Sequence, residues 1–381
     1  MGLKKGICTR LKCHNKIIPE KAVFMMKKLI LAASLILSFL LLFGCTMIGD
    51  EEDNKETSEP QQSPEQQRRV SDYFPIKEDV KYVYEGKGNE YASYDLYIDF
   101  TSEDKVQQRK STGGTILVDV IEVKDGKVTR IFSIEEAYYR ENLLDKKSSD
   151  EQVLLMEPLE KGTTWTLKDG SIRTITETSA QVTTPMDTFE AIEVTTESIN
   201  SKRIDYYAKD IGLVQSVFTS EGSEISSSLS KVEKDAVYTS VVNFYQPSGV
   251  DDKIYYKGKG ISFKTNDETA KILEEAYKEG IDADLGKVIT EKTKINSLTM
   301  DENKIVKIDL SKEFAEEMNK NAGALFEGMI LQSLVNTFGQ YYNTEKVIVT
   351  VDKKPYESEQ LSMGEGEFFQ TNFTKAVEIK Q

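Results

Sequence analysis

From residue 70 to about 233, apolar residues recur at every second position in short runs. "DVKYVYEG", "YDLYIDF", "GTILVDVIEV", "KVTRIFSI", "GTTWTLKDG", "IRTITET", "FEAIEVTTES", "RIDYYAKD" and "GLVQSVFTS" are rich in β-branched and aromatic residues. Tyr82 and Tyr84 alternate with polar neighbours, as do Leu96, Ile98 and Phe100. Turn signals at Asp125-Gly126, Asp169-Gly170 and Ile211-Gly212 separate the runs. Short strands at such spacing predict an antiparallel meander, half-barrel or barrel.

The period changes after Ala236. "VYTSVVNFYQ" and "DDKIYYKGKGISF" predict strands, and "TNDETAKILEEAYKEG" predicts a helix. Ala270, Leu273, Ala276 and Tyr277 share one helical face. Thr265 with Glu268 has the spacing of a capping box, and Gly280 is a helix stop. "TKINSLTMDENKIVKIDL" predicts a hairpin turning at Asp301–Asn303. From Ser311 to about Tyr342 apolar residues repeat every three or four positions, with Gly323 and Gly328 as possible breaks. "EKVIVTVDKKPYE" closes with a strand. The fold class expected is α+β: an N-terminal antiparallel all-β domain, then a small β-β-α-β-β-α-β domain with one sheet and two helices on one side of it.

The N-terminal region reads differently. In "MMKKLILAASLILSFLLLFGC", Lys27 and Lys28 precede an apolar run from Leu29 to Phe43, which is short for a bilayer span. That order is a secretory signal. Leu42-Phe43-Gly44-Cys45 resembles the lipobox of bacterial lipoproteins, which implies diacylglycerol on Cys45 and cleavage between Gly44 and Cys45. Residues 1–24 are read as a gene-model extension, 25–44 as signal peptide, and 45–69 as a lipidated cysteine and disordered tether. The tether is poor in apolar residues and as a loose coil would span roughly 25–30 Å. The remaining boundaries expected are 70–233 for the β-rich domain, 236–360 for the second domain and 361–381 for a tail.

Cleavage changes the chemistry available. It removes eight of the 49 Lys/Arg and one of the 64 Asp/Glu, so the net charge moves from −15 to −22. It also removes Cys8, Cys13 and the only histidine, His14. Histidine-based nucleophilic sites, zinc sites of His and Cys and disulfides all drop out. A surface this acidic does not suit nucleic acid. No cofactor, metal or catalytic residue is expected.

Residues 237–360 resemble the GerMN domain of sporulation and spore-germination lipoproteins. The resemblance is carried by "VVNFYQ", "KIVKIDLSKEF" and "LQSLVNTFGQYYNTEKVIVTVDKKPY". The chain departs from it in "IDADLGKVITEK" and in the last turn, Asp352-Lys353-Lys354. The pattern "EPLEKGTTW" followed by "YYAKDIGLV" is also similar to β-rich domains of other bacterial surface lipoproteins. These resemblances imply a non-catalytic, membrane-anchored extracytoplasmic protein on the outer face of the cytoplasmic membrane. Its partner would be an envelope protein or peptidoglycan. Two alternatives stand beside this: a carboxylate-based wall hydrolase, and a carrier of a hydrophobic ligand in the β-rich domain, where a packed core is the simpler expectation.

The remaining motifs have plain readings. Asn336 and Thr337 are expected to bond backbone rather than a partner. Glu274-Glu275 and Glu316-Glu317 are neighbours on helices and do not face each other across a cleft, so a solvated face is expected. The Gly-x-Gly of "YEGKGNE" and of "YKGKGIS" reads as a hairpin turn, the acidic runs lack calcium-loop spacing, and Trp165 reads as core.

Overall fold

The structure, a computed structural model, describes residues 68–380. Gly44, Cys45, the leader and most of the tether lie outside the described residues. Among the described residues no helix is long and apolar enough to cross a membrane.

Twelve strands form one antiparallel sheet. They are β1 (Val80–Lys87), β2 (Tyr94–Thr101), β3 (Lys105–Thr112), β4 (Ile116–Lys124), β5 (Lys127–Glu135), β6 (Gln152–Met156), β7 (Thr164–Thr166), β8 (Ile172–Thr183), β9 (Thr188–Glu197), β10 (Ser201–Ala208), β11 (Gly212–Ser220) and β12 (Ser223–Lys234). The order across the sheet is β6-β5-β4-β3-β2-β1-β12-β11-β10-β9-β8-β7. Each strand is next to its chain neighbour, β1 pairs with β12, and β6 and β7 are the edges. At the β4–β5 hairpin Asp125 and Gly126 both have positive φ, 51° and 68°, as the tight hairpin turn requires.

The two edges face each other across a seam. Trp165 Nε1 on β7 donates to the Val153 carbonyl on β6 at 3.1 Å, and Arg173 Nη1 on β8 donates to the same oxygen at 2.6 Å. An unpaired edge invites pairing with other chains; here two side chains bridge the edges at the Val153 carbonyl, and the sheet curls into a nearly closed barrel. A short helix, α1 (Val70–Tyr73), packs against β5 and β11. Val70, Tyr73 and Phe74 join the inward cluster of Tyr82, Ile175 and Val194.

Three strands were not expected. β3, "KVQQRKST", has no apolar alternation because polar residues are taken inside on both of its faces. Val106, Gln108 and Lys110 line the barrel interior, while Gln107 and Arg109 point the other way and are buried under the segment after β5. β12 is serine-rich and holds its place through its ladders to β1 and β11. β6, the third, is the short edge strand at the seam.

The second region holds β13 (Tyr238–Pro247), β14 (Ile254–Phe263), α2 (Thr269–Glu279), β15 (Ile295–Met300), β16 (Ile305–Leu310), α3 (Glu313–Asn321), α4 (Ala324–Tyr341), β17 (Lys346–Val351), β18 (Lys354–Pro355), β19 (Phe369–Gln370) and β20 (Ala376–Glu378). The order through β17 is β-β-α-β-β-α-α-β, because the last helical stretch is two helices where one was expected, and the strands divide between two sheets instead of one. β13-β14-β20 is one sheet, and β15-β16-β17-β18 is the other, with β19 also on β17. α4 is the reason. Its residues from Met329 to Gly339 are buried around most of the helix, apart from Gln332, and such a helix needs cover on several sides. It packs against β13 of one sheet and β17 of the other. The segment after 360 supplies β19, antiparallel to β17, and β20, which pairs in parallel with β14 and completes the first sheet. Gly323 takes the position before α4, ending the expected long helix there, while Gly328 lies inside α4. Gly280 caps α2 with φ 75°. The capping box does not form: Glu268 is the residue before α2, without a side-chain cap. Thr265 instead donates through Oγ1 to the Ile98 carbonyl (2.9 Å) and accepts from the Asp79 backbone N–H (2.8 Å).

Thr265 belongs to a larger junction between the barrel and the second region. Its centre is Arg140, 1% exposed, in the segment that follows β5. Nη1 donates to Asp267 O (2.6 Å) and Thr269 Oγ1 (2.9 Å). Nη2 donates to Asp99 O (2.7 Å) and Lys264 O (2.9 Å). The guanidinium lies over Phe100 of the barrel and Phe263 of β14, 4.0 and 5.0 Å from their centroids. Beside it Arg109 holds Asp99 (2.8 Å), and both are 1% exposed. Arg109 also donates to the carbonyls of Ala137 and Tyr139 at 2.6 and 2.8 Å, fixing the segment that carries Arg140.

Removing one member of a buried charged network leaves its partners unpaired and costs about 3–5 kcal/mol. Arg140→Ala is expected to lower stability by that amount, read as a fall in urea midpoint. Arg140→Lys is expected to recover little, because an ammonium does not reproduce the planar fork. A midpoint unchanged by Arg140→Ala would contradict the junction.

Candidate functional site

The barrel is not packed solid. It encloses a cavity of about 560 Å³, inside the range of roughly 300–1,000 Å³ typical of small-molecule sites. One part of the wall is aromatic and aliphatic. Tyr84 stacks on Tyr94 with centroids 4.4 Å apart, and Tyr84 Oη donates to the Leu213 carbonyl at 2.7 Å. Burial raises the Tyr82 hydroxyl to about 12 and lifts those of Tyr84, Tyr94 and Tyr207 further, so all four stay protonated.

The other part of the wall is charged, and ladder register explains how. On β3, β4 and β5 the inward positions include Gln108 opposite Asp119, and Arg130 opposite Ile121. On β8 to β11 they include Arg173 opposite Thr196, Arg203 opposite Phe218 and Asp205 opposite Ser216. Arg173 Nε donates to Thr196 Oγ1 at 2.8 Å. Ser216 Oγ donates to Asp205 at 2.6 Å and accepts from Arg203 Nη1 at 3.2 Å. Arg130 Nε and Asp119 Oδ1 stand 3.9 Å apart, and each is buried without a hydrogen-bond partner. Burial raises the Asp119 carboxyl above the usual carboxylate range.

A shallower hollow of about 250 Å³ adjoins the cavity. It shares Lys110, Arg203, Ser216, Phe218 and Ser227 with it and adds residues of the β1–β2 hairpin such as Asn89 and Tyr91. The lumen therefore has a vestibule at the hairpin end.

The residues singled out from sequence fall elsewhere. Asn336 and Thr337 are fully buried on α4. Asn336 Nδ2 donates to Asn372 O, and its Oδ1 accepts from Asn372 N, both at 2.8 Å. Thr337 Oγ1 donates to Ser333 O at 3.0 Å and accepts from Tyr245 N at 3.1 Å. Both bond backbone, as expected. The acidic pairs are not simply solvated. Glu274 accepts from Ile295 N at 2.6 Å and pairs with Lys278 at 2.5 Å, and Glu317 accepts from Thr290 Oγ1 at 2.5 Å. Glu275 and Glu316 are exposed. Gly86 and Gly88 belong to the β1–β2 hairpin, whereas Gly258 and Gly260 lie inside β14, opposite Asn243 and Val241, and make no turn. Trp165 is partly buried at the seam. Among the described residues no three acidic, histidine or cysteine side chains are grouped to hold a metal.

Residues 220–357 match the family model Germane, described as sporulation and spore germination. The match overlaps the segment that resembles GerMN in sequence. The first GerMN domain of the sporulation protein GerM from Bacillus subtilis is similar over 34% of this chain and 96% of its own, at 18% identity and a TM-score of 0.26. A protein described as exported, with a YmcC-like fold, from Bacteroides fragilis is similar over 42% of this chain and 98% of its own, at 14% identity and 0.28. A protein described as a lipoprotein from Clostridium perfringens is similar over 35% of this chain and 90% of its own, at 20% identity and 0.21. Likenesses this slight carry no role across. No curated protein matches the chain.

Asn336 offers a direct check on the structural reading of α4. Asn336→Ala leaves the Asn372 backbone groups without their partner, which costs about 1–3 kcal/mol. Hydrogen exchange is expected to speed up across 369–378 while the barrel strands are unchanged. Unaltered exchange there would return Asn336 to the list of contact residues.

Proposed function

We propose that this is a non-enzymatic extracytoplasmic protein, anchored on the outer face of the cytoplasmic membrane by diacylglycerol on Cys45. Its Germane-type region contacts an envelope protein or peptidoglycan in spore-forming cells. The observation that carries this reading is the Germane match over residues 220–357. The Gly44-Cys45 motif behind an apolar leader supports the anchor, and the polar composition of residues 46–69 supports a tether between membrane and folded body. The side chains on α4 that stood out in sequence serve packing.

Two measurements test it. Wild type is expected to label with lipid and fractionate with membrane, and Cys45→Ala to do neither in processed form. A Cys45→Ala protein that still labels and fractionates unchanged contradicts the anchor. The chain from residue 46 onward, mixed with purified sacculi, is expected to sediment with them if the wall is the partner. If it stays in solution, crosslinking in the intact envelope is expected to capture a protein, and failure of both contradicts the binding role. Truncation at residue 235 is a poor control, because it strips Arg140 of Lys264, Asp267 and Thr269.

A further inference from the structure

Lys110 is the residue in the lumen that folding alone does not explain. It projects from β3 between Leu96 of β2 and Leu117 of β4, directly across from each in the ladder. All three line the cavity. No carboxylate of the described residues lies within ion-pair distance of its ammonium, which sits 3.8 Å from the centre of the Tyr94 ring. Burial, with the nearby Arg203 charge, lowers its pKa. This partly buried cation has the Tyr94 ring face but no acid partner, so part of its lost hydration is left uncompensated.

Asp119 and Asp205 attract this charge from a distance, but neither forms an ion pair with it. Asp205 accepts from Ser216, and Asp119 faces Arg130. Asp169, the third acid of the lining, accepts from Ser171 N. Four bases line the cavity, Lys110, Arg130, Arg173 and Arg203, against these three acids, in a chain whose net charge is −15. Lys110 and Arg203 also line the vestibule, so the excess positive charge stands where the lumen opens. Beneath them are Leu96, Leu117, Ile121 and the tyrosine wall.

We propose that the barrel lumen binds an anionic amphiphile, its carboxylate or phosphate held by Lys110 and Arg203 at the vestibule and its apolar body lying along Leu96, Leu117 and the tyrosines. The proposal is independent of the proposed envelope contact and of the lipid anchor. A neutral alcohol of the same chain length lacks the group that compensates the lysine, and a short anion lacks the body that fills the lumen. Cavity volume and mixed lining both fit a single-chain molecule with one charged end.

The test uses the chain from residue 46 onward and four probes: dodecanoate, dodecyl phosphate, dodecanol and acetate. Calorimetric titration below the micelle concentration is expected to show one-to-one binding of dodecanoate or dodecyl phosphate. Their ratio tells which head group is preferred. Dodecanol and acetate are expected to bind at least tenfold more weakly. Lys110→Met keeps the length of the side chain and removes its charge. It is expected to weaken the anionic amphiphile at least tenfold while the unliganded protein melts no lower than wild type. Leu117→Trp is expected to block binding by filling the lumen. Equal binding of dodecanol and dodecanoate overturns the assignment of the head group. Binding unaffected by both Lys110→Met and Leu117→Trp, or no binding by wild type, overturns the site.

Discussion

A guanidinium taken out of water must find acceptors for its donors, and Arg140 finds them on both sides of one junction. Two of its acceptors are carbonyls between β14 and α2, one is a threonine hydroxyl on α2, and one is the Asp99 carbonyl of the barrel. Phe100 and Phe263 cover its faces. The Lys264, Asp267 and Thr269 acceptors meet Arg140 only when barrel and second region are in register. Asp99 does double duty, since its carboxylate holds Arg109, which in turn pins the carbonyls flanking Arg140. Buried charge is a weak source of net stability compared with apolar packing. Its effect here is specificity: it sets how the two parts meet.

The barrel uses buried charge differently. The Asp119 and Arg130 atoms stand 3.9 Å apart and unpartnered, as Arg140 Nε does beside Asp99 at the junction, but in the barrel they stand beside open volume. Interiors normally satisfy their polar groups. A wall that leaves them unsatisfied beside open volume has the character of a site, and a packed core does not. The seam contributes, because Trp165 and Arg173 draw the two sheet edges together at the Val153 carbonyl around the hollow interior.

The sequence was legible where one face of an element is apolar and the other wet. β1, β2, β4 and the β15–β16 hairpin show clean alternation and stand where the pattern placed them. It was illegible where polar residues are buried. β3 carries Gln107 and Arg109 on one face and Gln108 and Lys110 on the other, and both faces are inside the molecule, so periodicity had nothing to detect. β12 is hidden by its serines for a related reason. The capping box at Thr265 failed because tertiary contacts took the hydroxyl. The Gly-x-Gly of β14 resembled a turn, yet ladder pairing with β13 holds it extended. The division into two sheets is a consequence of α4 being buried around most of its circumference, which shows only once its polar Asn336 and Thr337 are seen to be buried as well. The lumen itself depends on which strands meet across the barrel, and no local pattern encodes that.

The central claim is that the Asp99–Arg109–Arg140 network makes barrel and second region one cooperative body. Calorimetric unfolding of the wild-type chain from residue 46 onward tests it most directly. A single transition with matching calorimetric and van't Hoff enthalpies is the predicted result. Two resolved transitions, each with the enthalpy of one part, would show that the parts unfold independently and would contradict the account.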